Sequence, residues 1–162
     1  MSVDILLKLS NDIKGESVIE GHEEEIDVLA WNWGMSQSGT THTATGGGGG
    51  KVDVSDITFT KYVDIATHRL IKACTSGEHI DEATLVVRKA GGAKPVDYLT
   101  IKMWKIIVSS YNTGGAQGDR DRVQETATFN FARFEIKYQA QDDKGGAKGS
   151  ATATWDIAKN KA

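Results

Sequence analysis

Runs of apolar residues, several with a two-residue period, recur along this chain and are separated by glycine-rich stretches. Residues 3–9 form a short apolar strand closed by Ser10, Asn11, Asp12 and Gly15. Residues 26–37 predict a longer strand, with Leu29, Trp31, Trp33 and Met35 on one face. The opposite face carries Val28, Ala30, Asn32, Gly34 and Ser36, which are small for a sheet surface. Residues 52–62 resume the β pattern through Val52, Val54, Ile57 and Phe59, with a phase slip near Asp56. Residues 79–90 alternate at Ala83, Leu85 and Val87, and residues 96–110 do so at Leu99, Ile101 and Met103 until Trp104 to Val108 break the phase. Residues 123–140 change parity between Phe129 and Phe131 on one side and Phe134, Ile136 and Tyr138 on the other. A β-bulge near Ala132 and Arg133 accounts for that switch; a strand buried on both faces is the alternative. The last strand spans residues 152–157 and contains Trp155.

One segment follows a helical period instead. Over residues 64–76, Leu70, Ile71 and Cys74 share a face, Asp64 is placed to cap the start, and Gly77 suits the C′ position. Seven or so strands, several of them long, with one helix predict a mainly β protein. The economical architecture is a compact β-barrel of two antiparallel sheets with one flanking α-helix and an extended loop. No internal repeat or linker divides residues 1–162, so one domain is expected.

That loop is the least packable part of the chain. From Gly39 to Lys51 it offers Thr40, Thr43 and one alanine, Ala44, and its glycine run is Gly46, Gly47, Gly48, Gly49 and Gly50. It is too long for a hairpin turn and too poor in side chains to make a core, so it reads as an arm that finds its partner outside its own domain.

Composition narrows the function classes. Nineteen basic and 22 acidic residues give a net charge of −3, and no basic field exists to hold a phosphate backbone, so nucleic acid is not an expected partner. Cys74 is the only cysteine, which rules out an intramolecular disulfide. The N-terminal residues lack the charged and apolar regions of a signal peptide, and no apolar run approaches the ~18 residues of a membrane helix. The expectation is cytoplasmic synthesis, no membrane insertion, and any export by a route other than general secretion.

Candidate chemistry is thin. Gly46 to Gly50 followed by Lys51 has Thr45 and Val52 where a phosphate-binding loop needs a glycine and a hydroxyl. His22 beside Glu23, Glu24 and Glu25 lacks ligand-spaced partners in His42, His68 or His79, and Asp142 and Asp143 lack the spaced oxygens of a calcium loop. Cys74 lies on the apolar face of the predicted helix, as a small hydrophobe does. Ser109 and Ser110 have no nucleophile-elbow context. No catalytic residue, metal site or cofactor is assigned, and an enzyme is not expected.

The residues do carry a resemblance. The run from Glu24 to Trp31, followed by Trp33-Gly34-Met35-Ser36-Gln37-Ser38-Gly39, resembles the haemolysin-coregulated protein (Hcp) family, the tube subunits of bacterial type VI secretion. The similarity continues through Phe59-Thr60-Lys61-Tyr62, Ala73-Cys74, Arg88-Lys89-Ala90-Gly91-Gly92, Val108-Ser109-Ser110, Asn130-Phe131-Ala132 and Trp155-Asp156-Ile157. The resemblance implies a homo-hexameric ring with a wide channel, stacked head to tail into a tube inside a sheath. It implies expulsion of the tube with its VgrG spike, and carriage of small effector proteins in the lumen. It makes the glycine arm a ring-stacking loop. The face of Ala30, Asn32, Gly34 and Ser36 becomes a candidate lumen wall, because short uncharged side chains leave a bore wide and non-adhesive; a bulge before Trp31 would reverse that assignment. The alternatives are a phage or tailocin tail-tube protein, and a small β-barrel binding module or hydrolase.

Overall fold

The computed structural model describes residues 2–39, 42, 49–89, 95–118, 122–144 and 146–162. Among these residues ten strands and one helix follow in chain order: β1 (Val3–Leu9), β2 (Ile26–Asp27), β3 (Ala30–Asn32), β4 (Met35–Ser36), β5 (Asp53–Val54), β6 (Ile57–Tyr62), α1 (Thr67–Ser76), β7 (His79–Lys89), β8 (Val96–Gly114), β9 (Gln124–Gln141) and β10 (Ala147–Asp156). Eight strands form one antiparallel sheet in the order β2-β1-β7-β8-β9-β6-β3, with β10 also on β9. Strands β4 and β5 make a separate two-stranded ribbon.

The expected long strand over residues 26–37 is instead three short ones. Strand β2 pairs with β1, β3 with β6, and β4 with β5. The chain turns out of one pairing and into the next at Val28 and Leu29, which reverses their parity: Val28 is buried and Leu29 exposed. Trp31 and Trp33 keep the inward side and pack against the core.

The curl of the sheet comes from β9 and from a crease. Strand β9 pairs with β8 along one edge and divides its other edge between β6, over residues 124–129, and β10, over residues 133–141. The parity switch foreseen near Ala132 is shared by three strands. Ile80 and Ala83 on β7, Met103 and Ile106 on β8, and Phe131 and Phe134 on β9 are all buried at a spacing of three instead of two. They are paired as Ile80 with Ile106, Ala83 with Met103, Ile106 with Phe131 and Met103 with Phe134. Each strand carries one extra residue on the same line, so the register is equal on both sides. A one-sided bulge is therefore not the cause here; the register shifts elsewhere, between Val108 and Ser110. Asp81, Lys105 and Ala132 lie on the crease outside the ladder, and Lys105 adopts a left-handed φ of 56°. The two layers expected from the sequence are thus two halves of one folded sheet.

Trp33 fills the inner side of this fold line. Its ring meets Phe131 edge-on at 6.0 Å and Phe134 at 4.8 Å, and its Nε1 donates to the Ser55 carbonyl at 3.0 Å. Such edge-to-face contacts add ~1 kcal/mol each beyond area burial. The helix starts at Thr67, three residues later than expected, because Asp64 accepts the Ala66 N–H with Oδ1 (2.9 Å) and holds the chain in a turn first. Gly77, at φ 70°, ends it by donating to the Ala73 carbonyl at 3.0 Å. Leu70 and Ala73 are buried and Cys74 is half-buried against the core.

Candidate functional site: an uncharged sheet face

On the half of the sheet built from β3, β6, β8 and β9, inward and outward residues separate cleanly. Ile57, Phe59 and Lys61 point in from β6, as do Glu125, Ala127 and Phe129 from β9. The outward face follows from the register. One row runs Asn32, Thr58, Thr128, Ser110; the next runs Ala30, Thr60, Thr126, Asn112. Asn130 extends it towards the crease. Every one of these side chains is small and carries a hydroxyl, an amide or a methyl group, and none is charged. Thr58 and Thr128 hydroxyls lie 3.3 Å apart across the strands.

Charge enters only at the borders. Asp56 is held by Ser109 Oγ and Asn130 Nδ2, each donating at 2.8 Å, and these bonds explain the phase slip between β5 and β6. At the other end the Arg122 guanidinium sits over the Tyr62 ring, 4.4 Å from its centroid. The result is a surface with many exchangeable hydrogen-bonding groups and no fixed charge. It can touch a polar protein without holding it: unpaired charges are what give long-range attraction, and large apolar patches are what give adhesion.

Of the four lumen candidates, Ala30 and Asn32 lie on this face and are exposed. Gly34 and Ser36 do not join it. Both are exposed, but the Gly34 carbonyl accepts the Ser55 N–H at 2.9 Å and Ser36 pairs with Asp53 in the ribbon. Sequence reasoning missed the four threonines of β6 and β9 that form the centre of the surface. Their signal was present as the i, i+2 repeat of Thr58 and Thr60 and of Thr126 and Thr128.

The arm begins as a continuation of the β4–β5 ribbon. Gly39 pairs with Gly49, the Gly50 N–H donates to the Ser38 carbonyl at 3.3 Å, and Gln37 Nε2 donates to the Gly50 carbonyl at 3.1 Å. A side chain at Gly50 would meet Ser38 Oγ at 2.4 Å. Lys51 is exposed. Thr40, Thr43, Gly46, Gly47 and Gly48 lie outside the described residues.

The candidate chemistry weighed from sequence finds structural roles. His22 is buried, its Nδ1 2.9 Å from Glu25 Oε2 and its Nε2 3.5 Å from Asp97 Oδ2. Asp142 accepts the Lys144 and Gly146 N–H groups with Oδ1 and so caps its own turn. Among the described residues no cluster of three or more His, Cys, Asp or Glu is arranged to hold a metal ion, and no helix is long and apolar enough to cross a membrane.

Comparison with known proteins agrees with the fold. Residues 6–138 match the family model described as type VI secretion system effector, Hcp. Protein hcp1 of Pseudomonas aeruginosa is 49% identical over 161 residues, covering 99% of this chain and 98% of that protein. Among solved structures, a type six secretion system protein superposes with a TM-score of 0.91 at 31% identity, covering 99% of both chains. Hcp1 from Salmonella typhimurium does so at 0.81 and 35%, also over 99% of both. The chain belongs to the Hcp family of the type VI secretion system.

Proposed function

We propose that the chain is the ring-forming tube subunit of a type VI secretion machine. Six copies close around a channel, rings stack head to tail, and the tube with its VgrG spike is expelled when the surrounding sheath contracts. Small effector proteins travel in the lumen. The observation that carries this reading is the uncharged face of Ala30, Asn32, Thr58, Thr60, Thr126 and Thr128. A channel wall must let a folded protein pass without trapping it, and a dense array of short hydroxyl and amide side chains has that property.

The open edge of β10 supports lateral assembly. Among the described residues β9 is the one strand paired with this ten-residue strand; its other edge is bridged at its end, by Asp156 to Lys161, and has no strand partner before that. Over residues 147–154, small side chains and a single lysine leave that edge unprotected, as suits an edge covered by another copy. The glycine arm, with residues as short as Gly39, Gly49 and Gly50 at its base, serves ring stacking, a heterologous contact that repeats without closing.

Replacing Asn32 or Thr128 with arginine tests the wall. Rings should still form, while recovery of effector proteins with the purified tube falls. Unchanged recovery in both variants would remove this face from the lumen. Deleting residues 46–50 should leave the barrel folded and weaken stacking; an unfolded deletion variant would place the arm in the core.

A further inference from the structure

Across the crease, the outward face of the same sheet is different in kind. The register sets Lys8 opposite Thr84, Thr84 opposite Lys102, and Lys102 opposite Glu135. Lys137 is the next outward residue on β9, opposite Thr100. With strands ~4.8 Å apart, Lys8 and Lys102 stand about 10 Å from each other, and Lys102 and Lys137 are diagonal neighbours at roughly 7–8 Å. Glu82 and Glu135 lie close by, yet among the described residues no ion pair within 4.0 Å involves any of the three lysines. Two grooves, of about 360 and 290 Å³, meet at Lys102.

We propose that Lys8, Lys102 and Lys137 form a docking strip for a protein segment with spaced carboxylates. Three unpaired cations on one sheet face run against the net charge of −3 of the whole chain. The residues between them, Thr84 and Thr100, are short, so a segment can lie flat across β1, β7, β8 and β9. Glu82 and Glu135, set among the lysines, select the class of partner. A uniform polyanion such as nucleic acid meets repulsion at both glutamates, whereas a peptide with acidic residues at intervals places its carboxylates on the lysines and polar groups on the glutamates. This assignment goes beyond the tube reading and does not depend on it.

The test uses the full chain and a short helical peptide whose glutamates recur every three to four residues. The wild-type protein binds the peptide, and raising salt from about 50 to about 500 mM weakens binding. Lys8→Gln, Lys102→Gln and Lys137→Gln combined should weaken it by about tenfold or more, while the same three positions changed to arginine retain it. Ring formation, imaged in parallel, stays as in the wild type, which separates this result from a failure of the tube reading. Equal binding by the glutamine triple variant, or a DNA oligonucleotide binding more tightly than the peptide, would overturn the proposal.

Discussion

Lys61 and Glu125 stand directly opposite each other on β6 and β9, and their ion pair is sealed from water with 1% and 0% of the side chains exposed. The ammonium uses all three donors: one to Glu125, one to Asp64 Oδ1 at 2.9 Å, and one to the Tyr62 carbonyl at 2.9 Å. Glu125 also accepts the Thr67 hydroxyl at 2.8 Å and the Tyr111 hydroxyl. The network ties the start of α1 to three strands. A satisfied buried pair adds little net stability, but breaking one side of it leaves a charge with no water and no partner. Lys61→Met should therefore cost ~3–5 kcal/mol in chemical denaturation. Adding Glu125→Gln, which removes the stranded charge, keeps an acceptor oxygen for one of the Thr67 and Tyr111 hydroxyls and offers its N–H to the oxygen of the other, should recover at least about 1 kcal/mol. A double variant less stable than Lys61→Met would contradict this account.

Tyr111 supplies a pH dependence. Partial burial, followed by its hydrogen bond to Glu125, pushes the phenol pKa from 10.0 to about 12. A group whose folded pKa is raised stabilises the fold below its unfolded pKa and loses that contribution as pH climbs through the folded one. Stability should fall between about pH 10 and pH 12, and Tyr111→Phe should flatten that part of the profile. The difference between the wild-type and Tyr111→Phe profiles is the quantity to measure.

Lys105, at φ 56° on the crease, occupies a backbone region that costs a side-chain-bearing residue ~1 kcal/mol or more. Lys105→Gly should leave the melting temperature unchanged or raise it, the relief of strain offsetting the added freedom of the unfolded chain. A loss above about 2 kcal/mol would mean that the lysine side chain holds the crease.

Gly15 and Gly50 make a contrasting pair. A Cβ at Gly15 would lie 2.4 Å from the Glu25 carbonyl oxygen and 2.6 Å from Ile26 Cα, so backbone must move. At Gly50 the nearest atom is a rotatable hydroxyl, Ser38 Oγ. Gly15→Ala should destabilise by ~1–3 kcal/mol in thermal or denaturant melts, and Gly50→Ala by much less.

How far the sequence speaks for itself depends on the range of the cause. Strand parity is local, so Trp31 and Trp33, and Ile57 and Phe59, could be set on shared faces from their spacing alone, and Gly77 at the helix end. The division of residues 26–37 among three partners could not, because Val28 and Leu29 change parity only when β1 and β6 compete for the chain. The crease was half legible: the switch at Ala132 shows in β9, but its alignment with Lys105 and Asp81 needs the register of three strands. Lys61 and Glu125 had a local signal, since each is a charged residue at inward parity beside Phe59 and Ala127. The uncharged face showed in sequence as Ala30 and Asn32 and as two separate threonine repeats, and joining them needs the pairing of strands distant in sequence.

The most direct test of the tube reading is negative-stain electron microscopy of the purified chain, with its mass in solution measured alongside. Hexameric rings with an open central channel, stacking at higher concentration, are the expected result. A strictly monomeric protein at high micromolar concentration, with no rings on the grid, would contradict it.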